Sequence, residues 1–350
     1  MFFQSTARAA CRQVRLRLPS AREKSTFAVA IDIDGVLYRG SEVLPNAVAA
    51  VKTLQQRNIP MLFLTNGGGQ TEGKRAELLT SRLSLEEDGH AIPEQHMFLA
   101  HTPMNPTLNP NMVPLKDKHV VVLGRNGKSV LKNYGFTNVT SIADFLVQHP
   151  CLLPSNEPAA TTSRRGTPQP VDAIFGIMGA EVWDRDLQLC CDILRSDGNV
   201  GTLSPTQKVP IYLSCPDFEY VTEFPVPRFG AGVFPIVLRH IFKKLTGRKL
   251  EMKIFGKPHR DTYDLAEQRL SAIAADMGYD GIDTIYGIGD NPESDIKGAN
   301  GASDRWSSIL VRSGVFIGDS NDELNPADKV VADIGEALTY ILSENMTVHD

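Results

Sequence analysis

Beyond residue 26 the chain alternates short apolar runs with stretches whose apolar positions recur every three or four residues. The run Phe27-Ala-Val-Ala-Ile-Asp-Ile33 predicts a strand. Pro45 can open a helix, and Ala47, Ala50, Val51 and Leu54 follow at i, i+3, i+4 and i+7. Ile59 to Leu64 is continuously apolar, as in a strand covered on both faces of a parallel sheet. These segments make a β-α-β unit, whose crossover is expected to be right-handed. The carboxyl-terminal part repeats the scheme. A short strand near Lys253-Ile-Phe255 precedes a helix from about Asp261, with Ala266, Leu270, Ile273 and Met277 on one face and Gly278 as its stop. Strands follow at Thr284 to Ile288 and Ser308 to Val311, then a last strand and helix across Val330 to Leu342. The two parts together predict one doubly wound, parallel α/β domain.

Between them, from Pro93 to Ser214, lies a second α/β series. Its predicted elements are a strand over His119 to Leu123, helices from Lys128 and Ile142, a strand over Ala173 to Met178, a helix from Asp186 and a strand over Ile211 to Ser214. It is long enough to be a domain inserted into the first. Residues 150–171, rich in proline, serine and threonine, read as an exposed loop within it. No internal repeat of 20–50 residues is present.

Residues 1–24 differ from the rest. They carry Arg8, Arg12, Arg15, Arg17, Arg22 and Lys24, with no acid before Glu23. At helical period Phe3, Ala7, Ala10, Val14 and Leu18 share one face while Arg8, Arg12 and Arg15 share another, the pattern of a mitochondrial transit peptide. A basic tail without a targeting role is the plainer alternative. The whole chain has a net charge of -5; without this segment 30 Lys+Arg face 40 Asp+Glu. So acidic a body has no overall field for nucleic acid or an anionic membrane. No apolar stretch approaches the roughly 20 residues of a membrane span. The five cysteines, Cys11, Cys151, Cys190, Cys191 and Cys215, have neither C-x-x-C nor zinc-site spacing, so reduced thiols are expected. The adjacent Cys190 and Cys191 read as helix-core residues rather than a redox pair.

Four short motifs stand at four predicted strand ends. Asp32-Ile-Asp-Gly-Val36 ends the first strand; residues i and i+2 share a strand face, so Asp32 and Asp34 are expected to point the same way. Two carboxylates so close need a cation or a shared proton, and an oxygen-rich site of this kind suits Mg²⁺. Thr65-Asn66-Gly67-Gly68-Gly69 offers a hydroxyl, an amide and open backbone N–H groups to phosphoryl oxygens. Lys257, in Gly256-Lys257-Pro258, can neutralise a phosphoryl group and the carboxylate attacking it. Asp290 and Asp295, in Gly289-Asp-Asn-Pro-Glu-Ser-Asp295, can complete a metal site with Asp32. Taken singly, each motif could be an ordinary turn, cap or solvated side chain. Their conjunction, in the order acid pair, Thr/Asn, Lys, acid pair, is what carries the functional reading.

In these motifs the sequence resembles the haloacid dehalogenase superfamily of aspartate-nucleophile phosphohydrolases, over nearly all of Phe27 to Leu342. Within it the resemblance is to subfamily IIA, and to the cat eye syndrome critical region protein 5 group, through Asp32-Ile-Asp-Gly-Val-Leu37, Pro227-Arg-Phe-Gly230, Gly256-Lys-Pro258 and Gly289-Asp-Asn-Pro292. Only 30 residues separate Asp34 from Thr65 but 190 separate Asn66 from Lys257, so the cap is the second insertion, as in that subfamily. The expected organisation is a core of residues 26–95 and 216–345 with an α/β cap of 96–215. The resemblance implies that Asp32 is the nucleophile and Asp34 the general acid and base, its backbone carbonyl also binding Mg²⁺. It implies that Asp32 and Asp290 bind the ion through their side chains, with Asp295 behind them. It implies that Thr65, Asn66 and Gly67 hold the phosphoryl group and that Lys257 stabilises nucleophile and intermediate.

The implied activity is Mg²⁺-dependent hydrolysis of a small phosphomonoester in the mitochondrial matrix. Fungal relatives joined to a CDP-alcohol phosphatidyltransferase domain suggest a glycerophospholipid intermediate as substrate. The alternative class is a non-catalytic module that binds a phosphorylated ligand or a protein partner; the complete acid set argues against it. Dehalogenation is disfavoured because the resembling dehalogenases lack the second aspartate, and phosphomutase activity because the best-known mutases carry the other cap. Relatives often dimerise through the cap, the assembly expected here. Cys215 stands where the subfamily usually has Asn, which bears on the cap hinge. Arg125, Asn126, Glu181, Trp183 and Arg185 are the cap candidates for contacting substrate.

Overall fold

A computed structural model describes residues 27–86, 89–153, 169–220, 224 and 226–346. The segment expected to be a transit peptide and most of the proline-rich loop lie outside the described residues. Five apolar residues form β1 (Phe27–Ile31), and all five are buried. A tight loop leads to a hairpin of β2 (Tyr38–Arg39) and β3 (Glu42–Val43). Next comes α1 (Ala47–Gln56), which buries Ala47, Ala50, Val51 and Leu54 as their spacing predicts. Then follow β4 (Met61–Thr65), α2 (Glu72–Arg82) and β5 (Met97–Leu99).

The insertion continues with β6 (His119–Leu123), α3 (Gly127–Asn133), β7 (Asn138–Ser141), α4 (Ile142–Gln148) and β8 (Ala173–Gly176). After it come α5 (Trp183–Arg195), β9 (Ile211–Ser214), and a second hairpin of β10 (Glu219–Tyr220) and β11 (Arg228–Phe229). The chain then forms α6 (Val233–Thr246), β12 (Lys253–Phe255), α7 (Arg260–Asp276) and β13 (Thr284–Gly289). It ends with a π-helical turn over Pro292–Ile296, α8 (Lys297–Asn300), β14 (Trp306–Val311), β15 (Lys329–Val331) and α9 (Ile334–Met346).

Two parallel sheets result. The first has the order β15-β14-β13-β1-β4-β5. From β1 the chain first moves outward through β4 and β5, and later moves the other way through β13, β14 and β15. The order therefore reverses beside β1, and the crevice beyond the carboxyl ends of strands at such a point is where open α/β sheets bind ligands. The second sheet has the order β12-β9-β8-β6-β7.

One expected placement is corrected. The strand Lys253–Phe255 was expected in the first sheet, but it pairs with Ile211–Ser214 at the edge of the second. Helix α6 goes with it: Phe234, Leu238 and Phe242 share a hydrophobic core with Leu189, Cys190, Cys191, Ile193 and Leu194 of α5. Met97–Leu99 belongs instead to the first sheet, against β4. The second sheet therefore draws on the chain as far as Phe255, well past residue 215, the expected end of the cap. A three-residue strand carries too little pattern to say which sheet it joins.

Candidate active site

The floor of the site is a set of buried charges. β1 ends at Ile31, so Asp32 is the first residue past the strand; its N–H donates to the Ile288 carbonyl (2.9 Å) and it is 7% exposed. Lys257, 3% exposed, donates from Nζ to Asp32 Oδ1 (2.6 Å), Asp295 Oδ1 (2.5 Å) and the Leu64 carbonyl (2.9 Å). All three ammonium hydrogens are thus used. Asp290 follows β13 and is wedged between two glycines: a Cβ on Gly35 would come within 2.1 Å of its Oδ2, and one on Gly314 within 1.8 Å. Gly35 also has φ +85, which disfavours any side chain there. The Val315 N–H donates to the same Oδ2 (2.6 Å). Asp295 sits in the π-helical turn, where its Oδ2 accepts from Asn291 N–H (3.1 Å) and its carbonyl from the Tyr263 hydroxyl (3.0 Å). Such turns are frequent at functional sites.

Burial and repulsion push two of these acids up, Asp32 and Asp290. The Asp32 carboxyl rises well above the usual range through burial, against the pull of Lys257 and with repulsion from Asp295, Asp290 and Asp34. Asp290 is pushed up to about 7 by burial and by Asp295. For Lys257 burial works downward, but Asp295 and Asp32 outweigh it, and the lysine stays cationic. One ammonium therefore faces three carboxyl groups whose oxygens, one from each of Asp32, Asp290 and Asp295, lie within 4.8 Å of one another. An all-oxygen set with excess negative charge fits a hard divalent cation such as Mg²⁺.

The loop after β4 is clamped to Lys257. Asn66 Oδ1 accepts from the Lys257 N–H (2.7 Å), while Asn66 Nδ2 donates to the Lys257 carbonyl (2.9 Å) and to Asp217 Oδ1 (2.7 Å). Both hydrogens of the side-chain amide are spent on these contacts, so Asn66 acts as a brace between loops. Thr65 Oγ1 accepts from the Gly67 N–H (3.0 Å), which leaves its own proton for an incoming oxygen.

Asp34 is placed differently from its neighbour. The strand has ended before Asp32, so the alternation expected to align the two carboxyls does not reach them. The Asp34 side chain is 61% exposed and lies outside the buried acid cluster. Its partner is Arg75 of α2, whose Nη2 is 3.5 Å from Asp34 Oδ2 and donates to the Tyr38 hydroxyl (2.6 Å). Arg75 and Asp217 are the site residues that the motif reading missed. The available signal for Arg75 was a cation one helical turn beyond the glycine-rich strand end.

Of the cap candidates, Asn126 Nδ2 donates to the Gly69 carbonyl (3.0 Å), which ties the second sheet's side to the glycine-rich loop after β4. Arg125 pairs with Glu181 (3.7 Å) near the same loop. Trp183 packs edge-on against Phe234, and Arg185 pairs with the buried Asp186 (2.7 Å), so these two serve the interior of the second layer. Cys215 has φ 61, and its thiol is pushed up to about 12, chiefly by burial. Cys190, Cys191 and Cys215 are all unpaired by disulfide, as expected.

With this geometry in hand, residues 29–137 match the haloacid dehalogenase-like hydrolase family and residues 254–337 match the HAD-hydrolase-like family. The chain belongs to the haloacid dehalogenase-like hydrolases. It is 35% identical over 326 residues to a Schizosaccharomyces pombe protein named as a fusion of CMP-forming cardiolipin synthase and mitochondrial hydrolase. That match covers 90% of this chain and 52% of the fusion, so the chain spans about half of that relative. A mitochondrial hydrolase of Saccharomyces cerevisiae is 29% identical over 351 residues, covering 91% of this chain and 96% of its own. Among solved structures, a glycerol phosphate phosphatase of Mycobacterium tuberculosis, in complex with magnesium, shares the fold with a TM-score of 0.57 at 17% identity, over 90% of this chain and 76% of that one.

Proposed function

We propose that this haloacid dehalogenase-like hydrolase is a Mg²⁺-dependent phosphatase that passes a phosphoryl group through Asp32. The observation that carries the reading is the asymmetry of the two acids: a buried Asp32 held by Lys257 among further carboxyls, and an exposed Asp34 two residues on. A bound Mg²⁺, held by Asp32, Asp290 and Asp295, would supply positive charge opposite the phosphoryl oxygens. In the first step an Asp32 carboxylate oxygen attacks phosphorus, the bond to the leaving oxygen breaks, and Asp34 delivers its proton to that oxygen. In the second step Asp34, now ionised, takes a proton from water as the water oxygen attacks phosphorus. The bond to Asp32 then breaks and phosphate departs. Lys257 stabilises Asp32 and the transferred group, and the Thr65 hydroxyl and the Gly67 loop hold the phosphoryl oxygens.

The names of the fungal relatives support a mitochondrial location, with the matrix as our expectation, and a small phosphomonoester of glycerophospholipid metabolism as substrate. Assembly as a homodimer through the cap is the expectation from the subfamily. The test is phosphate release from glycerol phosphates, nucleotides, pyridoxal phosphate and phosphatidylglycerophosphate, with Mg²⁺ and with chelator. Turnover that needs Mg²⁺ and falls by on the order of 10⁴-fold or more in Asp32→Asn is the expected result. Absence of turnover across the panel, with the protein folded and binding Mg²⁺, would favour a non-catalytic phosphate-binding module instead.

A further inference from the structure

Arg75 stands where helix stability gives it no reason to be. It lies in the fourth position of α2, close to the amino-terminal end, where the helix dipole favours acids over cations. Its ion pair with the exposed Asp34 is loose at 3.5 Å, a kind of pair that adds little to stability. Its surroundings are nevertheless built. The Tyr38 hydroxyl, on a residue only 3% exposed, accepts from Arg75 Nη2 at 2.6 Å. The Arg82 guanidinium lies over the Tyr38 ring, 4.3 Å from its centroid, and packs that ring from the same helix. The loop bearing Asp34 is itself closed on Tyr38, since the Gly35 N–H donates to the Tyr38 carbonyl (2.7 Å). Arg75 thus contacts both ends of that short loop.

The space these groups enclose is over Gly67. A Cβ on Gly67 would lie 3.3 Å from Thr65 Oγ1, 3.6 Å from Arg75 Nη2 and 3.8 Å from Asp34 Oδ2. A hydroxyl donor, a guanidinium and the exposed carboxyl therefore converge around Gly67, where a Cβ would press on Thr65 Oγ1 and touch the other two at ordinary contact distance. We propose that Arg75 is a positioning residue for Asp34: braced on the Tyr38 hydroxyl, its guanidinium holds the Asp34 carboxyl over Gly67, where that carboxyl meets the leaving-group oxygen. The inference rests on the phosphatase reading above and adds a residue that none of the four motifs contains. Substrates whose leaving groups are poor, such as alkyl alcohols, need the Asp34 proton as the P–O bond breaks. Those with good leaving groups, such as p-nitrophenol, need it far less. Loss of positioning should therefore be selective by leaving group.

The experiment measures kcat/KM of the full chain with Mg²⁺ for glycerol 3-phosphate and p-nitrophenyl phosphate. The variants are Arg75→Gln, Tyr38→Phe, Asp34→Asn and the double variant Asp34→Asn/Arg75→Gln. We expect Arg75→Gln to lose about tenfold more on the alkyl than on the aryl ester, within the roughly 10²–10⁴-fold that general acid–base catalysis supplies. Tyr38→Phe, which only frees the guanidinium from its brace, should show the same selectivity at smaller size and guards against a folding defect in Arg75→Gln. Adding Arg75→Gln to Asp34→Asn should cost little more on either ester, because the two residues act as a unit. Equal losses on both esters in Arg75→Gln and Tyr38→Phe, while Asp34→Asn remains selective, would overturn the inference and leave the phosphatase reading intact. Loss of selectivity in Asp34→Asn itself would count against the general-acid role beneath it.

Discussion

Asp32 and Asp34 are two residues apart, yet they live in different media. Asp32 lies on a floor of buried charges, with Lys257 donating to it and to Asp295. Asp34 stands on a wall, mostly exposed, with one loose cationic neighbour. The floor is suited to electrostatics: charges fixed before the reaction stabilise developing charge without reorganising. The wall is suited to proton traffic, since a group that must give a proton to one oxygen and take one from water needs access to both. A strand that stops at Ile31 is what separates the two roles, because three more residues of regular strand would have carried the i, i+2 alternation onto the pair.

The sharpest way to break this contrast is to remove the one cation that the floor holds among the described residues. Lys257→Met leaves the carboxyls of Asp32 and Asp295 without their partner, and removing one side of a buried pair costs about 3–5 kcal/mol. We expect a loss of that size in urea unfolding with chelator present, partly recovered by millimolar Mg²⁺. Asp34→Asn under the same conditions should shift stability by no more than about 0.5 kcal/mol, as exposed sites do. Similar unfolding midpoints for the two variants would erase the distinction between floor and wall. A smaller effect is expected from Gly35→Ala, which strains a backbone at φ +85 and drives a methyl onto Asp290 Oδ2. Titration with Mg²⁺ should show affinity weakened about tenfold or more, in line with other disturbances of the groups that orient metal ligands. Unchanged affinity would show that Asp290 is not part of the cation site.

Much of this was legible in the sequence, where the local pattern was strong. The spacing of Ala47, Ala50, Val51 and Leu54 gave helix α1, and the run Ile211 to Ser214 gave β9 with its observed bounds. The buried grouping of Asp32 with Asp290 and Asp295 came from two motifs that meet only through sheet order. What escaped was carried by elements without an apolar signature. Helix α2, with the sequence EGKRAELLTSR, buries Glu72 and Thr80 beside Ala76 and Leu79, so its inner face does not read as apolar and Arg75 went unnoticed on it. Glu72 can be buried because the hydroxyls of Thr102 (2.6 Å) and Tyr134 (2.5 Å) both donate to it, a long-range arrangement that no periodicity announces. Helix α6 begins Val-Phe-Pro, with Pro235 in its first turn, and followed a segment read only as a return to the core.

The smallest effect concerns the hinge beneath the floor. Cys215 has φ 61, a left-handed conformation in which Asn is enriched several-fold among residues other than glycine. Its buried thiol lies 3.8 Å from Asp217 Oδ2, and Asp217 in turn accepts from Asn66 Nδ2, so this backbone position supports the brace that joins the Thr65 loop to Lys257. With its pKa pushed up to about 12, the thiol stays protonated and offers the carboxylate only a weak donor. An amide at the same place would relieve the backbone and present a stronger donor to Asp217. Cys215→Asn is therefore expected to raise stability by about 0.5 kcal/mol, and Cys215→Val, β-branched at positive φ, to lower it by about 1–3 kcal/mol. Thermal unfolding of the two variants in one buffer is the measurement. A Cys215→Asn protein that melts as early as Cys215→Val would mean that packing around the sulfur, rather than backbone conformation, decides which residue this hinge accepts.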